Sequence, residues 1–351
     1  MSGTVNLRSL GWGLPGGRTQ FVTAPTPPGT VYRMRRRILF TFAALALGAT
    51  ALLAPHAVTA SPVAATAPKI ASYNVFLFSK TLYPNWGQDQ RVDLIVKDKV
   101  VSGQDVVVFQ EAFENSSSDR LISKLAGEYP HATPVVGRST SGWDKTENYS
   151  STTPEDGGVT ILSKWPIETK MQHIYKQGCG ADYYANKGFA YAKLRSPNGA
   201  VHVLGTHLQA DDTGCTQTSA SSVRATQLDE MAQFIRERKI PADETVLLAG
   251  DLNIIGGTDE VRTAQARINA RPPTSTIGHQ FSYDPESNSI AKDRDKGGKR
   301  QQLDYIWLLQ GGPQNWTNET KLIHSPEWSV TSQGTKYTYN DYTDHYPAFG
   351  Y

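Results

Sequence analysis

Residues 245–253, TVLLAGDLN, place an apolar run directly before two polar side chains, Asp251 and Asn253. A short apolar run rich in β-branched and aliphatic residues is typical of a buried strand. A strand fixes the side chains at its end more firmly than a loop does. This stretch therefore predicts a polar site held at the end of a buried strand.

The same arrangement recurs along the chain. Apolar runs lead to Asn74, to Glu111, to His207 and, near the end of the chain, to Asp344-His345. Between them lie amphipathic stretches with helical spacing, which indicate helices outside the sheets. Ser118 and Ser221 are the expected N-caps of two of these helices. We therefore expect an α/β sandwich of two packed sheets. The predicted strands cover residues 70–75, 106–109, 158–162, 189–194, 201–205, 245–249 and 303–309.

The first 60 residues have a different composition, with six Arg and no Asp or Glu. Met34 is followed by three Arg, an apolar run over 38–53 and small residues up to Ala60, the pattern of a secretory signal. The run is shorter than the roughly 20 residues that a spanning helix needs. We expect residues 1–60 to be a leader, with Met34 as the true start, 61–69 a short mature segment and 70–351 one catalytic domain. The protein is then secreted and extracellular.

Without the six Arg of the leader, 29 basic residues face 33 acidic ones, and the formal charge of +2 becomes −4. This charge argues against nucleic acid as a partner, because proteins that grip phosphate backbones usually carry a basic surface. Both cysteines, Cys179 and Cys215, lie beyond the leader. An oxidising compartment favours pairing them, so we expect one disulfide.

Together the strand ends would bring carboxylates, two amides and two imidazoles into one cleft, which suits metal-assisted phosphoryl chemistry. Each element alone is weak: a Glu after a strand is usually a solvated strand end, and Gly-Asp-x-Asn is often only a turn. The remaining histidines beyond residue 60 are interpreted as structural or exposed: His131, His173, His202, His279 and His324.

The ordered set of motifs resembles the endonuclease/exonuclease/phosphatase superfamily. In chain order they are Ser72-Tyr73-Asn74, Gln110-Glu111, Asp156-Gly157-Gly158-Val159, Thr206-His207-Leu208, Gly250-Asp251-Leu252-Asn253, Leu303-Asp304-Tyr305 and Asp344-His345-Tyr346-Pro347. The resemblance implies a four-layered α/β sandwich with two central mixed β-sheets flanked by helices.

A narrower resemblance, to bacterial neutral sphingomyelinases, rests on segments 82–88, 118–121, 154–158, 186–189, 206–210 and 336–342 together with the cysteine pair. It implies Mg²⁺-dependent hydrolysis of sphingomyelin, in membranes or micelles, to ceramide and phosphocholine. It also implies a monomer in peripheral contact with the membrane.

The resemblance implies a role for each matching residue. Glu111 is the expected first ligand of Mg²⁺, with Mn²⁺ or Co²⁺ as substitutes, and Asn74, Asp251 and His345 are further candidate metal contacts. His345 is the general base, oriented by Asp304. Asp251 positions the attacking water or assists the leaving oxygen, and Asn253 donates to a phosphate oxygen. His207 either stabilises the phosphate or protonates the leaving group, and Asp344 completes the network.

Three alternatives stay open. A secreted nuclease would use almost the same residues on the same fold. An inositol-polyphosphate phosphatase would need clustered cations, and the densest basic run, residues 292–300, is broken by Asp293 and Asp295, so we interpret it as a solvated loop. A lipid-binding module without chemistry would be expected to have lost polar residues such as Glu111 and His345.

One departure concerns the membrane. Sphingomyelinases that attack membranes strongly often expose a bulky aromatic pair on a hairpin before the Tyr-Thr-Tyr-Asn-Asp segment, whereas this chain has Gln333-Gly334 there. Because interfacial binding grows with buried apolar area, we predict weaker lysis of intact cells than of detergent-dispersed substrate. Trp86 and Trp143 are candidates for a cation–π cage around choline, or simply core or surface aromatics.

Overall fold

The computed structural model describes residues 67–351. The predicted signal and most of the short segment 61–69 therefore lie outside the described residues. Within the described range, no helix is both long and apolar enough to cross a bilayer. The elements in chain order are β1 (Ile70–Asn74), α1 (Gln88–Lys97), β2 (Val106–Gln110), α2 (Asn115–Leu125), β3 (His131–Ala132), β4 (Lys145–Glu147), β5 (Thr160–Ser163), β6 (Ile167–Ile174), β7 (Gly188–Ser196), β8 (Gly199–His207), α3 (Ala220–Arg238), β9 (Thr245–Asp251), α4 (Asp259–Arg267), β10 (Ser275–Gly278), α5 (Ser289–Arg294), β11 (Asp304–Gln310), β12 (Thr317–Thr320), β13 (Trp328–Ser332), β14 (Thr335–Tyr339) and β15 (Ala348–Gly350).

Two mixed sheets form the centre of the molecule. The seven-stranded sheet has the order β10-β12-β15-β1-β2-β5-β3, and the six-stranded sheet has the order β11-β9-β8-β7-β6-β4. Each sheet combines parallel pairs, such as β1 with β2 and β8 with β9, with antiparallel neighbours. Strands β13 and β14 form a separate hairpin.

The core between the sheets follows from the two-residue period of the strands. Ile70, Val106 and Val108 face Val203 and Leu247 in one apolar cluster, which joins the inner faces of both sheets. The residues that alternate with them point outward. Ala71 and Val107, for example, pack with residues of α1 and α2 in another cluster.

The other sheet has the matching outer layer, in which Val246 and Leu248 pack with Leu228 and Met231 of α3. The sequence of layers is therefore helix, sheet, sheet, helix. The predicted four-layered sandwich is confirmed, and every predicted strand is found within one or two residues of its expected bounds.

Local details correct two expectations and confirm a third. The N-caps were expected to be Ser118 and Ser221 from the polar residues before each apolar run, but α2 begins earlier, after Glu114, and α3 is capped by Ser219, which accepts the Ser222 N–H. Both expectations placed the start of the helix too late, because polar residues occupy its first turn.

The expected disulfide between Cys179 and Cys215 is present. It spans 36 residues and stabilises by about 3–4 kcal/mol in the chain-entropy model.

Candidate active site

The strand pairing brings three predicted site residues into one row. His207 ends β8 and lies opposite Asp251, which ends the parallel strand β9. Asp304 begins β11, which runs antiparallel to β9, and it also lies opposite Asp251. Asp251 is therefore the centre of the row.

The other sheet supplies Asn74 and Glu111 at the same edge. Asn74 ends β1 beside Gln110 of β2, and Glu111 follows directly. The Asn74 amide donates to Asp251 Oδ2 at 3.1 Å, which ties the two sheets together at the site. The side-chain oxygen of Asn74, Oδ1, accepts the Phe76 N–H at 3.1 Å.

Two of these residues have left-handed backbone, with φ of 54° at Glu111 and 51° at Asn253. This conformation is uncommon for residues other than glycine and costs on the order of 1 kcal/mol. It turns each side chain sharply at the end of its strand. Asn253 is held by its own bonds, since its N–H donates to Asp251 Oδ1 at 3.0 Å and its amide donates to the Leu208 carbonyl at 3.1 Å.

His345 forms a buried pair with Asp304. Its Nδ1–H donates to Asp304 Oδ2 at 2.8 Å, and its Nε2 lies 3.8 Å from Asp251 Oδ2. The ring of Tyr283 packs on the imidazole at 5.3 Å between centroids. The bond to Asp304 fixes the tautomer and leaves Nε2 directed at the centre of the site.

Charge sets the protonation of this imidazole. Burial alone would lower the pKa of His345, but the charge and hydrogen bond of Asp304, with the further charges of Asp344 and Asp251, raise it to about 10. The carboxylates around the ring therefore favour its protonated form.

The buried surroundings of the site disfavour negative charge on its carboxylates. Burial raises the pKa of Glu111, and burial together with the charge of Asp304 raises that of Asp251. His207 Nε2 lies 3.9 Å from Glu111 Oε1 and 3.7 Å from Asp251 Oδ2, and burial lowers the pKa of His207 well below its usual value.

Three buried atoms of the site have no hydrogen-bond partner among residues 67–351: Glu111 Oε2, His207 Nδ1 and Asp304 Oδ1. Buried polar groups are rarely left unpaired, because each costs roughly 1–3 kcal/mol. Ligand atoms of Glu111, His207 and Asp251 lie within 4.8 Å of one another, a spacing that one ion can bridge. A buried set of carboxylate oxygens with an unpaired member fits a hard divalent cation such as Mg²⁺.

These side chains share one cleft of about 360 Å³, which Glu111 and His345 both line. Asp344 lies behind it, fully buried, and accepts a hydrogen bond from Arg294. The structure thus brings together all the predicted site residues, in or directly behind the cleft: Asn74, Glu111, His207, Asp251, Asn253, Asp304, Asp344 and His345.

Sequence reasoning missed two residues that line the cleft, Arg294 and Tyr283. Residues 292–300 are not simply a solvated loop, because Arg294 ends α5 and enters the cleft. A signal was present: Asn288 caps the helix, and Ile290 and Ala291 are buried. Arg294 follows them at helical spacing and so lies on the same inward face.

The two tryptophans that were candidates for a cage around choline lie outside the cleft. Trp86 is buried against Phe76 and Tyr339, Trp143 packs on the core between the sheets, and neither lines the cleft. Their interpretation as core aromatics is confirmed. The histidines expected to be structural also lie outside the cleft lining, and four of them bond to carboxylates elsewhere: His173, His202, His279 and His324.

Comparison with known proteins agrees with this geometry. The profile of the Endonuclease/Exonuclease/phosphatase family matches residues 71–345. A sphingomyelinase C of Listeria ivanovii is 44% identical over 286 residues, which are 81% of this chain and 85% of that protein.

Two crystal structures are similar over almost their full length. Sphingomyelinase C of Streptomyces griseocarneus has 45% identity and a TM-score of 0.79, with 81% of this chain and 99% of that chain covered. A mutant of the Staphylococcus aureus beta toxin with bound magnesium ions has 45% identity and a TM-score of 0.80, with 82% and 99% covered.

Proposed function

The chain belongs to the endonuclease/exonuclease/phosphatase family and within it to the bacterial sphingomyelinases C, and we propose that it is a Mg²⁺-dependent phosphodiesterase that hydrolyses sphingomyelin to ceramide and phosphocholine. The observation that carries the proposal is the meeting of Glu111, Asp251 and the Asp304–His345 pair in one cleft. Two relatives are named sphingomyelinase C, and the beta toxin crystal contains magnesium ions.

Glu111 and Asp251, with the amide of Asn74 beside them, would hold Mg²⁺, and Mn²⁺ or Co²⁺ would substitute for it. When bound, the cation would polarise a phosphoryl oxygen and offset negative charge in the transition state. We assign His345 to proton transfer rather than to the metal, since Mg²⁺ prefers oxygen ligands.

His345 would take the proton of the attacking water through Nε2, while Asp304 holds the ring and stabilises the imidazolium that forms. Asp304 raises the pKa of His345 most, and Asp344 and Asp251 add to this effect. A cation that offset the charge of Asp251 would lower that pKa.

The remaining groups would handle the phosphodiester. A bond forms between the water oxygen and phosphorus, and the bond from phosphorus to the ceramide oxygen breaks. Asp251 would position the water, and Asn253 would donate to a phosphate oxygen. His207 would either protonate the ceramide oxygen or stabilise the phosphate, and in the second case solvent water would supply the proton to the ceramide oxygen.

Arg294 would add a fixed positive charge. Burial alone would lower its pKa, but Asp344 and Glu111 raise it, so the guanidinium stays cationic. It is held by Asp344 and by the faces of Phe76 and Phe78, at 4.7 and 5.7 Å to the ring centroids. A preorganised cation of this kind suits a phosphate oxygen.

We further propose that the protein is exported, acts as a monomer and binds the lipid surface only peripherally. The leader-like composition of residues 1–60 supports export. The disulfide supports an oxidising compartment.

The test is phosphocholine release from sphingomyelin dispersed in detergent, with and without EDTA, followed by adding back Mg²⁺, Mn²⁺ or Co²⁺. We expect chelation to abolish release and Mg²⁺ to restore it, and Glu111→Gln to reduce the rate at least a hundredfold. Undiminished release after chelation would overturn the proposal.

Two further substrates test the alternative functions of this fold. Plasmid DNA and an inositol polyphosphate are incubated with the same enzyme and metal. A turnover of either that exceeds the turnover of sphingomyelin would replace our proposal with a nuclease or a phosphatase. Intact vesicle binding without release from any substrate would indicate a lipid-binding module.

A further inference from the structure

At two places, the described part of the chain exposes a pair of large apolar side chains that are neighbours in sequence. Leu82 and Tyr83 are 72% and 45% exposed, and Tyr183 and Tyr184 are 68% and 61% exposed. Single exposed apolar residues are ordinary on soluble proteins. Two pairs of neighbours call for an explanation.

Sheet topology places both pairs at the edge that carries the candidate active site. Leu82 and Tyr83 lie in the loop after β1, whose last residue is the site residue Asn74. Tyr183 and Tyr184 lie between β6 and β7. Since β7 runs antiparallel to β8, the start of β7 lies at the edge where β8 ends in His207.

Contacts connect the tyrosine pair to the wall of the cleft. Asp182, the residue before Tyr183, accepts the N–H of Ala210 at 2.9 Å, and Ala210 lines the cleft. Lys187 Nζ donates to Asp182 and to the Leu208 carbonyl, both at 2.8 Å. The short 3₁₀ turn Gly180–Tyr184 is further fixed by the disulfide at its start. The two rings are therefore presented on a rigid support.

A chain of rings connects the other pair to the site. Tyr83 packs on Phe78 at 5.6 Å, Phe78 stacks on Phe113 at 5.5 Å, and Phe113 lies 6.5 Å from His207. Arg294, which lines the cleft, lies over the ring of Phe78. Both exposed pairs are thus a few contacts from the reacting groups.

The hairpin at the same edge offers no such group. β13 and β14 are joined by Gln333-Gly334 alone, with φ of 50° and 78°, the tight two-residue turn that leaves no room for a projecting loop. Its apolar residues turn inward instead, where Trp328 packs on Tyr339 and Tyr339 on Trp86.

We propose that Leu82-Tyr83 and Tyr183-Tyr184 form the surface that binds the lipid layer around the cleft. This inference rests on the proposed function, in which the substrate is a lipid. The lysines closest in sequence to the two pairs are already in ion pairs, Lys80 with Asp89 and Lys187 with Asp182, at 3.0 and 2.8 Å. The patch therefore fits a zwitterionic phosphocholine surface, where tyrosines favour the interface, rather than an anionic one.

The test compares Tyr183→Ser/Tyr184→Ser and Leu82→Ser/Tyr83→Ser with the wild-type protein, all with the same N terminus. Binding to sphingomyelin/phosphatidylcholine vesicles is measured in EDTA, so that it does not depend on hydrolysis. We expect each pair of substitutions to weaken binding about tenfold, because interfacial affinity follows buried apolar area. Tyr183→Phe/Tyr184→Phe should retain most of it.

Phosphocholine release is then measured with Mg²⁺ on intact vesicles and on a water-soluble short-chain sphingomyelin. The variants should lose activity on vesicles and stay within twofold of wild type on the soluble substrate. The matched control is Tyr351→Ser, since Tyr351 is also exposed but follows β15, which runs antiparallel to β1 and ends at the opposite edge.

Unchanged vesicle binding in both double variants would overturn the inference, as would equal losses on vesicles and soluble substrate. Stronger binding to vesicles that contain phosphatidylserine would also overturn it, since that would indicate electrostatic attachment. If the wild-type protein released phosphocholine from neither substrate, the proposed function would fail. The binding measurement in EDTA would still decide the membrane surface.

Discussion

Two histidine–aspartate pairs of this molecule have hydrogen bonds of the same length but differ in the groups around the aspartate. The cleft pair, His345 and Asp304, is joined at 2.8 Å, and so is the outer pair, His279 and Asp284. Both aspartates are almost completely buried. A short histidine–carboxylate bond therefore does not by itself mark a catalytic site.

The pairs differ in how completely their aspartates are satisfied. Asp284 of the outer pair accepts hydrogen bonds on both oxygens, from the Glu286 N–H, from Ser287 and from Arg300 as well as from its histidine. Asp304 of the cleft pair has one oxygen without a partner. Unpaired buried groups and excess charge persist where a ligand is to be bound, whereas a saturated network only holds the fold.

Removing the histidine of each pair should give the largest contrast. His345→Ala removes the proposed base, and we expect a loss of about a thousandfold in kcat for sphingomyelin. His279→Ala should leave kcat within about threefold. Initial rates of phosphocholine release with saturating Mg²⁺ measure both. Equal losses would show that the two pairs do not differ in function.

Replacing the aspartates should separate the pairs almost as widely. In Asp304→Asn the amide no longer stabilises the imidazolium or fixes the tautomer, so we expect kcat to fall at least a hundredfold with little change in KM. Asp284→Asn should instead lower the free energy of unfolding by about 1–3 kcal/mol, because four donors lose a charged acceptor. Urea unfolding at pH 7 gives the second quantity. A wild-type rate in Asp304→Asn would contradict the assigned role.

The outer pair should also make stability depend on pH. Burial alone would raise the pKa of Asp284, but hydrogen bonds from Ser287, His279 and Arg300 lower it to about 2, against 3.8 for the ordinary value. A carboxylate whose pKa is lower in the folded state stabilises above pH 4, and that contribution is lost as the pH falls toward 2. We expect about 2 kcal/mol. Unfolding of wild type and Asp284→Asn should therefore differ at pH 5 and converge near pH 2; a constant difference would argue against this linkage.

The comparison also explains which features the sequence could predict. Strand runs such as residues 245–249 are continuous apolar stretches, which is a local signal, so the strands and the polar residues at their ends are visible in the sequence. The four layers and the convergence of the strand ends needed the family resemblance, because pairing such as that of Asp304 with Asp251 joins segments 53 residues apart. The surroundings of each histidine are equally non-local.

Arg294 and Arg300 show this limit within one basic run. Local composition gives both the appearance of solvated charges, and their side chains are similarly exposed, 37% for Arg294 and 34% for Arg300. Arg300 pairs with Asp284 and Glu286 and does not line the cleft. Arg294 enters the cleft because Ile290, one helical turn earlier, is buried. A six-residue helix is too short for its period to be obvious before its cap is recognised.

The smallest contrast tests these two arginines with a substitution that retains the charge. Arg294→Lys removes the planar fork and the stacking on Phe76, so we expect kcat/KM to fall about tenfold, close to 1.4 kcal/mol of transition-state stabilisation. Arg300→Lys, taken from the same run, should change kcat/KM less than twofold. A variant that is partly unfolded would also show a lower kcat/KM. The inhibition constant of phosphocholine is therefore measured for each variant as a second readout. Weaker inhibition in Arg294→Lys alone indicates a phosphate contact, whereas an unchanged inhibition constant together with a lower rate would assign Arg294 to positioning Asp344 instead.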